Sequence, residues 1–192
     1  RFNMIEQQIR PWEVLDQGVL SLLAVVRREE FVPAAYRALA FIDTEVPLPE
    51  GQCMLAPRVE ARLLQELRLA RHESVLEVGA GSGYMAALLA HQSQRVTTLE
   101  ILPTLAAMAR ANLQRAAIGN AQVIEANGAK GHAAQAPFDA GQRARNGLLS
   151  GRVGVGQLHL RPIVADAEGH AAAWGFGDRL PLPYPFAYPC PA

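Results

Sequence analysis

The sequence predicts an α/β fold, a parallel sheet preceded by a helical N-terminal region, from three observations. Strand-like apolar runs alternate with helical periods between residues 73 and 140. The first of these runs, VLEVGAGSGY at 75–84, ends in a turn with glycine at every second position. Residues before 73 carry mostly helical spacing. Zones of 1–72 (helical cap and loop), 73–140 (α/β core) and 141–192 (atypical tail) follow.

In the first zone, Val14, Leu15, Val19, Leu20, Leu22, Leu23 and Val26 recur at helical spacing after Pro11, a residue suited to a helix start. Pro33 opens a further short helix in FVPAAYRALAF. DTEVPLPEG reads as an irregular or extended loop, because its prolines block a helix. From Pro57 the pattern returns to helix, with Val59, Leu63, Leu64 and Leu67 on one face.

In the core, SVLEVGAG is a buried strand, YMAALLAHQS a helix and RVTTLEI a second strand. PTLAAMARANLQRAAI is a long helix opened by Pro103 and stopped at Gly119 or Asn120, and AQVIEANGA is a third strand.

Composition narrows the function classes. With 18 basic and 18 acidic residues the formal net charge is zero, so neither nucleic acid nor an anionic membrane is an expected partner. Lys130 is the one lysine, an arginine bias that reads as codon composition. Cys53 and Cys190 suggest neither a disulfide framework nor a metal cluster, and His72, His91, His132, His159 and His170 form no ligand spacing. No metal is expected. No apolar run has membrane-spanning length and no secretory signal is visible, so the expectation is a soluble, cytoplasmic monomer. The chain opens on Arg1 rather than Met, which suggests a start further upstream.

Glycine at 79, 81 and 83 lets the backbone turn sharply and clears side chains from a ligand's approach, while the helix from Tyr84 aims its positive end at the same place. Glu100, 19 residues beyond Gly81 at the end of the second strand, is placed to accept both hydroxyls of a ribose. GSGYMA also matches the dinucleotide pattern G-x-G-x-x-A, which would make this a nicotinamide oxidoreductase. Glu77 argues otherwise. A carboxylate two residues before the first glycine repels a pyrophosphate and attracts a cationic sulfonium with an amino-acid tail. A ligand-free strand–turn–helix corner would explain one glycine, hardly three with two acids. Asn127 and Gly128 follow the third strand, where Asn-Gly is either simply a turn or a ligand contact through the Asn127 side-chain carbonyl.

The residues E-V-G-A-G-S-G-Y resemble the first motif of class I S-adenosylmethionine-dependent methyltransferases, whose sheet is Rossmann-like. A wider stretch, residues 3–140, resembles the protein-L-isoaspartate O-methyltransferases. It carries Arg28, Glu29, Phe31, Val32 and Pro33, then Asp43 before a proline loop, then Gly51, Gln52 and Pro57. The resemblance implies S-adenosylmethionine as cofactor, held by Glu77, Gly79, Gly81, Gly83, Glu100, Asn127 and Gly128. It implies methyl transfer to an isoaspartyl or D-aspartyl carboxylate of damaged proteins or peptides. The family's loop, normally Gly-Gln-Thr-Ile-Ser, contacts the substrate through hydroxyls. Here Gln52 is kept, but Cys53 stands at the Thr position and Leu55 at the Ser position, which predicts reduced repair activity, a different acceptor, or cofactor binding without catalysis. Loop packing explains Cys53 and Leu55 better than a catalytic role. Trp12 and Tyr36 read as core aromatics, with a peptide groove as the alternative. Arg27 and Arg28 read as a solvated helix end, with capture of a carboxylate as the alternative.

After PFDA at 137–140 the family pattern calls for an apolar fourth strand, a helix and a Pro-Gly-Gly turn. GQRARNGLLSGRVGVG follows instead, and residues 141–192 hold eight glycines and six prolines. This predicts a shifted reading frame near Ala140 and missing C-terminal strands, leaving an exposed sheet edge. A divergent extension is the alternative.

Overall fold

Ser74–Val78 (β3) is the strand around which the chain is organised. The computed structural model describes residues 1–128 and, beyond them, the backbone of 140–143, 148–152, 162–165 and 171–173. Before β3 come a short N-terminal helix Phe2–Met4 (α1), which continues as tighter and wider turns to Trp12, then Gln17–Val25 (α2). A 3₁₀ turn at Ala34–Leu39 leads to the antiparallel hairpin Val46–Leu48 (β1) and Gln52–Met54 (β2), and then to Pro57–Leu67 (α3).

After β3 the chain alternates Tyr84–Gln92 (α4), Arg95–Glu100 (β4), Pro103–Arg115 (α5) and Ala121–Glu125 (β5). β4 pairs parallel with β3, and β5 parallel with β4. The strand at Ala140–Arg143 (β6) then pairs parallel with the opposite edge of β3. Strand order therefore reverses at β3, and a ligand crevice opens above the carboxyl ends of the strands at such a reversal. Leu148–Arg152 (β7), Pro162–Ala165 (β8) and Ala171–Ala173 (β9) extend the sheet antiparallel, in the order β5-β4-β3-β6-β7-β8-β9.

The α/β expectation holds, with two corrections of detail. The edge of β3 is not left bare. Val75–Val78 face 140–143 in register, because main-chain pairing asks only for an extended backbone. The regular helix expected to run from Pro11 starts instead at Gln17. Glu13 adopts a left-handed φ of 59° and Asp16 caps the new start, its Oδ1 accepting the Val19 amide at 3.0 Å. Val14 is buried and its neighbour Leu15 is exposed, as befits a non-helical link. The tail expectations beyond these strand backbones, and His132, His159, His170 and Cys190, lie outside the described residues.

The core sits between the N-terminal helices and the sheet. α4 is buried from Tyr84 to Ala90 on every side, so its apolar character all round is required by its place between two layers. α3 is amphipathic and buries Leu63, Leu64 and Leu67, each contributing about 1.5–3 kcal/mol. α5 ends at Arg115, short of the Gly119 or Asn120 stop. Asn120 serves a different helix: its Nδ2 donates to the carbonyls of Ala90 (2.8 Å) and Ser93 (3.2 Å) behind α4. Among the described residues no helix is long and apolar enough to cross a membrane.

Candidate cofactor and substrate site

β3 runs into its turn through Gly79, Gly81 and Gly83, with φ of 96°, 52° and 81°. These values are routinely open only to glycine. Gly79 N–H donates to the Leu99 carbonyl at 2.7 Å, and Gly83 N–H to that of Ala80 at 2.8 Å. Gly83 has a second reason to lack a side chain, since a Cβ there would lie 3.2 Å from the Ala109 backbone of α5. The buried Asn112 of α5 donates its Nδ2 to the Ser82 carbonyl at 2.8 Å, pinning the turn from below. Sequence reading missed Asn112; its signal was a polar residue on the inner stripe of a helix.

Glu100 closes the turn from the neighbouring strand. Its Oε2 accepts the Gly81 amide at 3.0 Å and its Oε1 the Leu102 amide at 3.1 Å. Each carboxylate oxygen keeps a second acceptor position, which suits a ribose diol. Glu77, 1% exposed, lies in register with Thr98 of β4. Burial lifts its carboxyl to about 8, the carboxylates of Glu100 and Glu60 adding to the rise and the Thr98 hydroxyl opposing it. Its Oε2 is buried with no hydrogen-bond partner among the described residues. A cation beside it would supply the missing partner.

The link after β5 reaches the same end of the sheet. Ala126 N–H donates to the Glu100 carbonyl at 2.9 Å, which brings exposed Asn127 to the mouth of the crevice. Gly128 has a packing role that spacing did not reveal, because a Cβ there would collide with the Val78 side chain.

The β1–β2 hairpin lies over this turn. Leu48 Cδ1 would be 3.5 Å from a Cβ at Gly81, and the Thr104 hydroxyl at the start of α5 donates to Glu50 Oε1 at 3.0 Å. Gln52 Nε2 donates to the Glu50 carbonyl at 3.1 Å, and the Cys53 thiol to Glu45 Oε2 at 3.1 Å. Leu55 is half-buried against the core. The hairpin thus meets the glycine turn through Leu48 and the start of α5 through Glu50, while Gln52 and Cys53 bond within the hairpin region.

Arg28 is not the solvated helix end expected of it. It is 1% exposed, paired with buried Glu60 of α3, and its guanidinium stacks 5.0 Å from the centre of the Tyr84 ring. Burial pushes Glu60 up to about 7 against the pull of Arg28. Trp12 is no core aromatic either; it is half-buried beneath the Arg58 guanidinium at 4.0 Å, and Arg58 pairs with Asp43 at 2.8 Å. Tyr36 is 39% exposed. Among the described residues no cluster of His, Cys, Asp and Glu is arranged to hold a metal ion.

The family model for protein-L-isoaspartate(D-aspartate) O-methyltransferase matches residues 2–143. This chain belongs to that family. A protein-L-isoaspartate O-methyltransferase of Koribacter versatilis (strain Ellin345) is 42% identical over 139 residues, covering 72% of this chain and 63% of its own length. A second, protein-L-isoaspartate O-methyltransferase 1 of Rhodopseudomonas palustris (strain HaA2), is 39% identical over 171 residues, covering 86% of this chain and 70% of its own. The chain therefore spans a little under two thirds of the Koribacter relative it matches. In fold it is similar to a Plasmodium falciparum protein-L-isoaspartate O-methyltransferase crystallised with S-adenosyl-L-homocysteine. That structure superposes with a TM-score of 0.60 at 19% identity, covering 77% of this chain and 87% of its own. Family membership sets aside the nicotinamide reading of the glycine turn.

Proposed function

We propose that this chain transfers a methyl group from S-adenosylmethionine to the carboxylate of an isoaspartyl or D-aspartyl residue in damaged proteins or peptides. Residues 73–140 hold the cofactor, and residues 1–72 cap it and present the acceptor. The observation that carries this reading is the buried Oε2 of Glu77, unpartnered among the described residues at the foot of a three-glycine turn. A cation bound there would ionise this carboxyl and pair with it, which a diphosphate cannot do.

When bound, the cofactor supplies an electrophilic methyl on a positively charged sulfur. The chain's own part is to bind, orient and exclude water. In this reading Glu77 faces the cationic end, the turn amides and the start of α4 take the middle, Glu100 takes the ribose and Asn127 the adenine edge. The 51–57 loop holds the acceptor carboxylate in line with the methyl. An anion meeting a cation needs no general base, so positioning supplies most of the acceleration.

The test is methanol release from an isoaspartyl peptide incubated with the full chain and S-adenosylmethionine. Turnover above an aspartyl control peptide is expected. Binding of S-adenosylhomocysteine without turnover would replace this reading with the second one, cofactor binding without isoaspartyl catalysis. The contact that favours the second reading is the Cys53 thiol directed to Glu45, beside a Leu55 that brings no hydroxyl.

A further inference from the structure

We infer that Arg28 is the positioning residue of the substrate loop, an inference that rests on the proposed activity of that loop. Its fork has contacts in three directions. Nε donates to the Ala40 carbonyl at 2.9 Å, one terminal nitrogen pairs with Glu60 in the first turn of α3, and the other donates to the Leu55 carbonyl at 2.7 Å. The face of the guanidinium rests on Tyr84, the first residue of α4 after the glycine turn, and Phe31 meets the same ring edge-on at 5.4 Å between centres. One buried side chain therefore links the N-terminal turns, the loop backbone, the helix that follows the loop, and the helix that follows the cofactor turn.

The geometry assigns the distance between loop and cofactor turn to this side chain. Leu55 has no hydroxyl to fix the loop from its own side chain, so its main chain must be held from elsewhere, and Arg28 holds it. A planar guanidinium can serve three partners in fixed directions while stacking through its face; an ammonium cannot. Lysine would keep the charge beside Glu60 and lose the simultaneous grip on Ala40 and Leu55. Arg28 does not touch the reacting atoms in this scheme. It acts through the Leu55 peptide.

The experiment compares the full-length chain with Arg28→Lys and with the apolar double variant Arg28→Met/Glu60→Leu. Replacing a buried ion pair by well-packed apolar groups commonly leaves a fold intact, so the double variant guards against a lysine variant that fails to fold. In whichever variant folds, kcat/KM for an isoaspartyl peptide is expected to fall tenfold or more, chiefly through KM. The Kd for S-adenosylhomocysteine stays within threefold. Amide hydrogen exchange at 52–56 speeds up while exchange at 75–79 does not. Unchanged exchange at 52–56, or a loss matching only the folded fraction, overturns the assignment. If the unmodified chain turns over no isoaspartyl peptide, the proposed function fails by itself, and the exchange comparison still decides the role of Arg28.

Discussion

Glu100 reaches 19 residues back along the chain to accept the Gly81 amide at 3.0 Å, so the carboxylate assigned to the ribose also sets the shape of the glycine turn. Glu100→Gln puts an amide NH₂ where one of two donors already points. The mismatch costs about 1–3 kcal/mol. The expected result is a five- to hundredfold weaker Kd for S-adenosylhomocysteine by titration calorimetry, larger than a lost ribose contact alone would give.

Glu77 makes stability depend on pH. Its carboxyl is raised from 4.5 to about 8, so the folded chain holds a proton that the unfolded chain releases. The contribution is fully present below about pH 4.5 and is lost as pH rises through about 8. The loss is at most about 5 kcal/mol at 1.36 kcal/mol for each pKa unit. Urea denaturation should show lower stability at pH 8.5 than at pH 6, with a flatter dependence in Glu77→Gln; Glu60, raised to about 7, keeps part of the slope. A cationic cofactor favours the ionised carboxylate. Affinity for S-adenosylmethionine should therefore tighten between pH 6 and 8, and more than affinity for the uncharged thioether product.

Gly128 and Gly83 separate packing from binding. Gly128→Ala drives a methyl into Val78, and the added Val78→Ala should recover much of the lost stability. Gly83→Ala meets Ala109 main chain under a φ of 81° and should cost about 1–3 kcal/mol with no side-chain rescue available. Gly119→Ala, with open space around it, serves as the neutral control. Thermal melts of the four variants read all of this.

The loop can be moved back toward the family pattern. Cys53→Thr and Leu55→Ser add hydroxyls able to donate to an acceptor carboxylate, and a hydrogen bond to a charged group contributes about 1.5–3 kcal/mol. Each is expected to raise kcat/KM for an isoaspartyl peptide about tenfold or more. A fall for Leu55→Ser would mean that Leu55 packing on the core matters more than the missing hydroxyl, and a fall for Cys53→Thr that the thiol contact to Glu45 does.

The tail makes a prediction about the gene. The family match ends at Arg143, three residues after the point where the apolar pattern stops. Translation of the other two frames downstream of codon 140 should restore an apolar strand and a Pro-Gly-Gly turn. If neither frame does so, 141–192 is a divergent extension.

The strand–helix alternation from Ser74 to Glu125 was legible because local signals agree there. Three glycines mark the turn, prolines open α3 and α5, and apolar runs bounded by polar residues give the strands. Pairwise contacts between distant residues left no such trace. Arg28 beside Arg27 looks like a solvated pair, and its burial becomes visible only when Glu60, Ala40 and Leu55 arrive around it. Asn112 and Asn120 looked like ordinary helix and turn residues, yet each satisfies carbonyls about 30 positions away. The helix start at Gln17 was misplaced because the apolar pattern runs through Val14 and Leu15. Only the left-handed Glu13 and the Asp16 cap say otherwise.

The far side of β3 is joined to 140–143 by main-chain amides and carbonyls that carry no information about residue type. That seam is thus chemically anonymous, whereas the turn on the other end of β3 is spelled out in glutamates and glycines. Substitutions within 140–143 that keep an extended backbone should therefore leave this pairing in place.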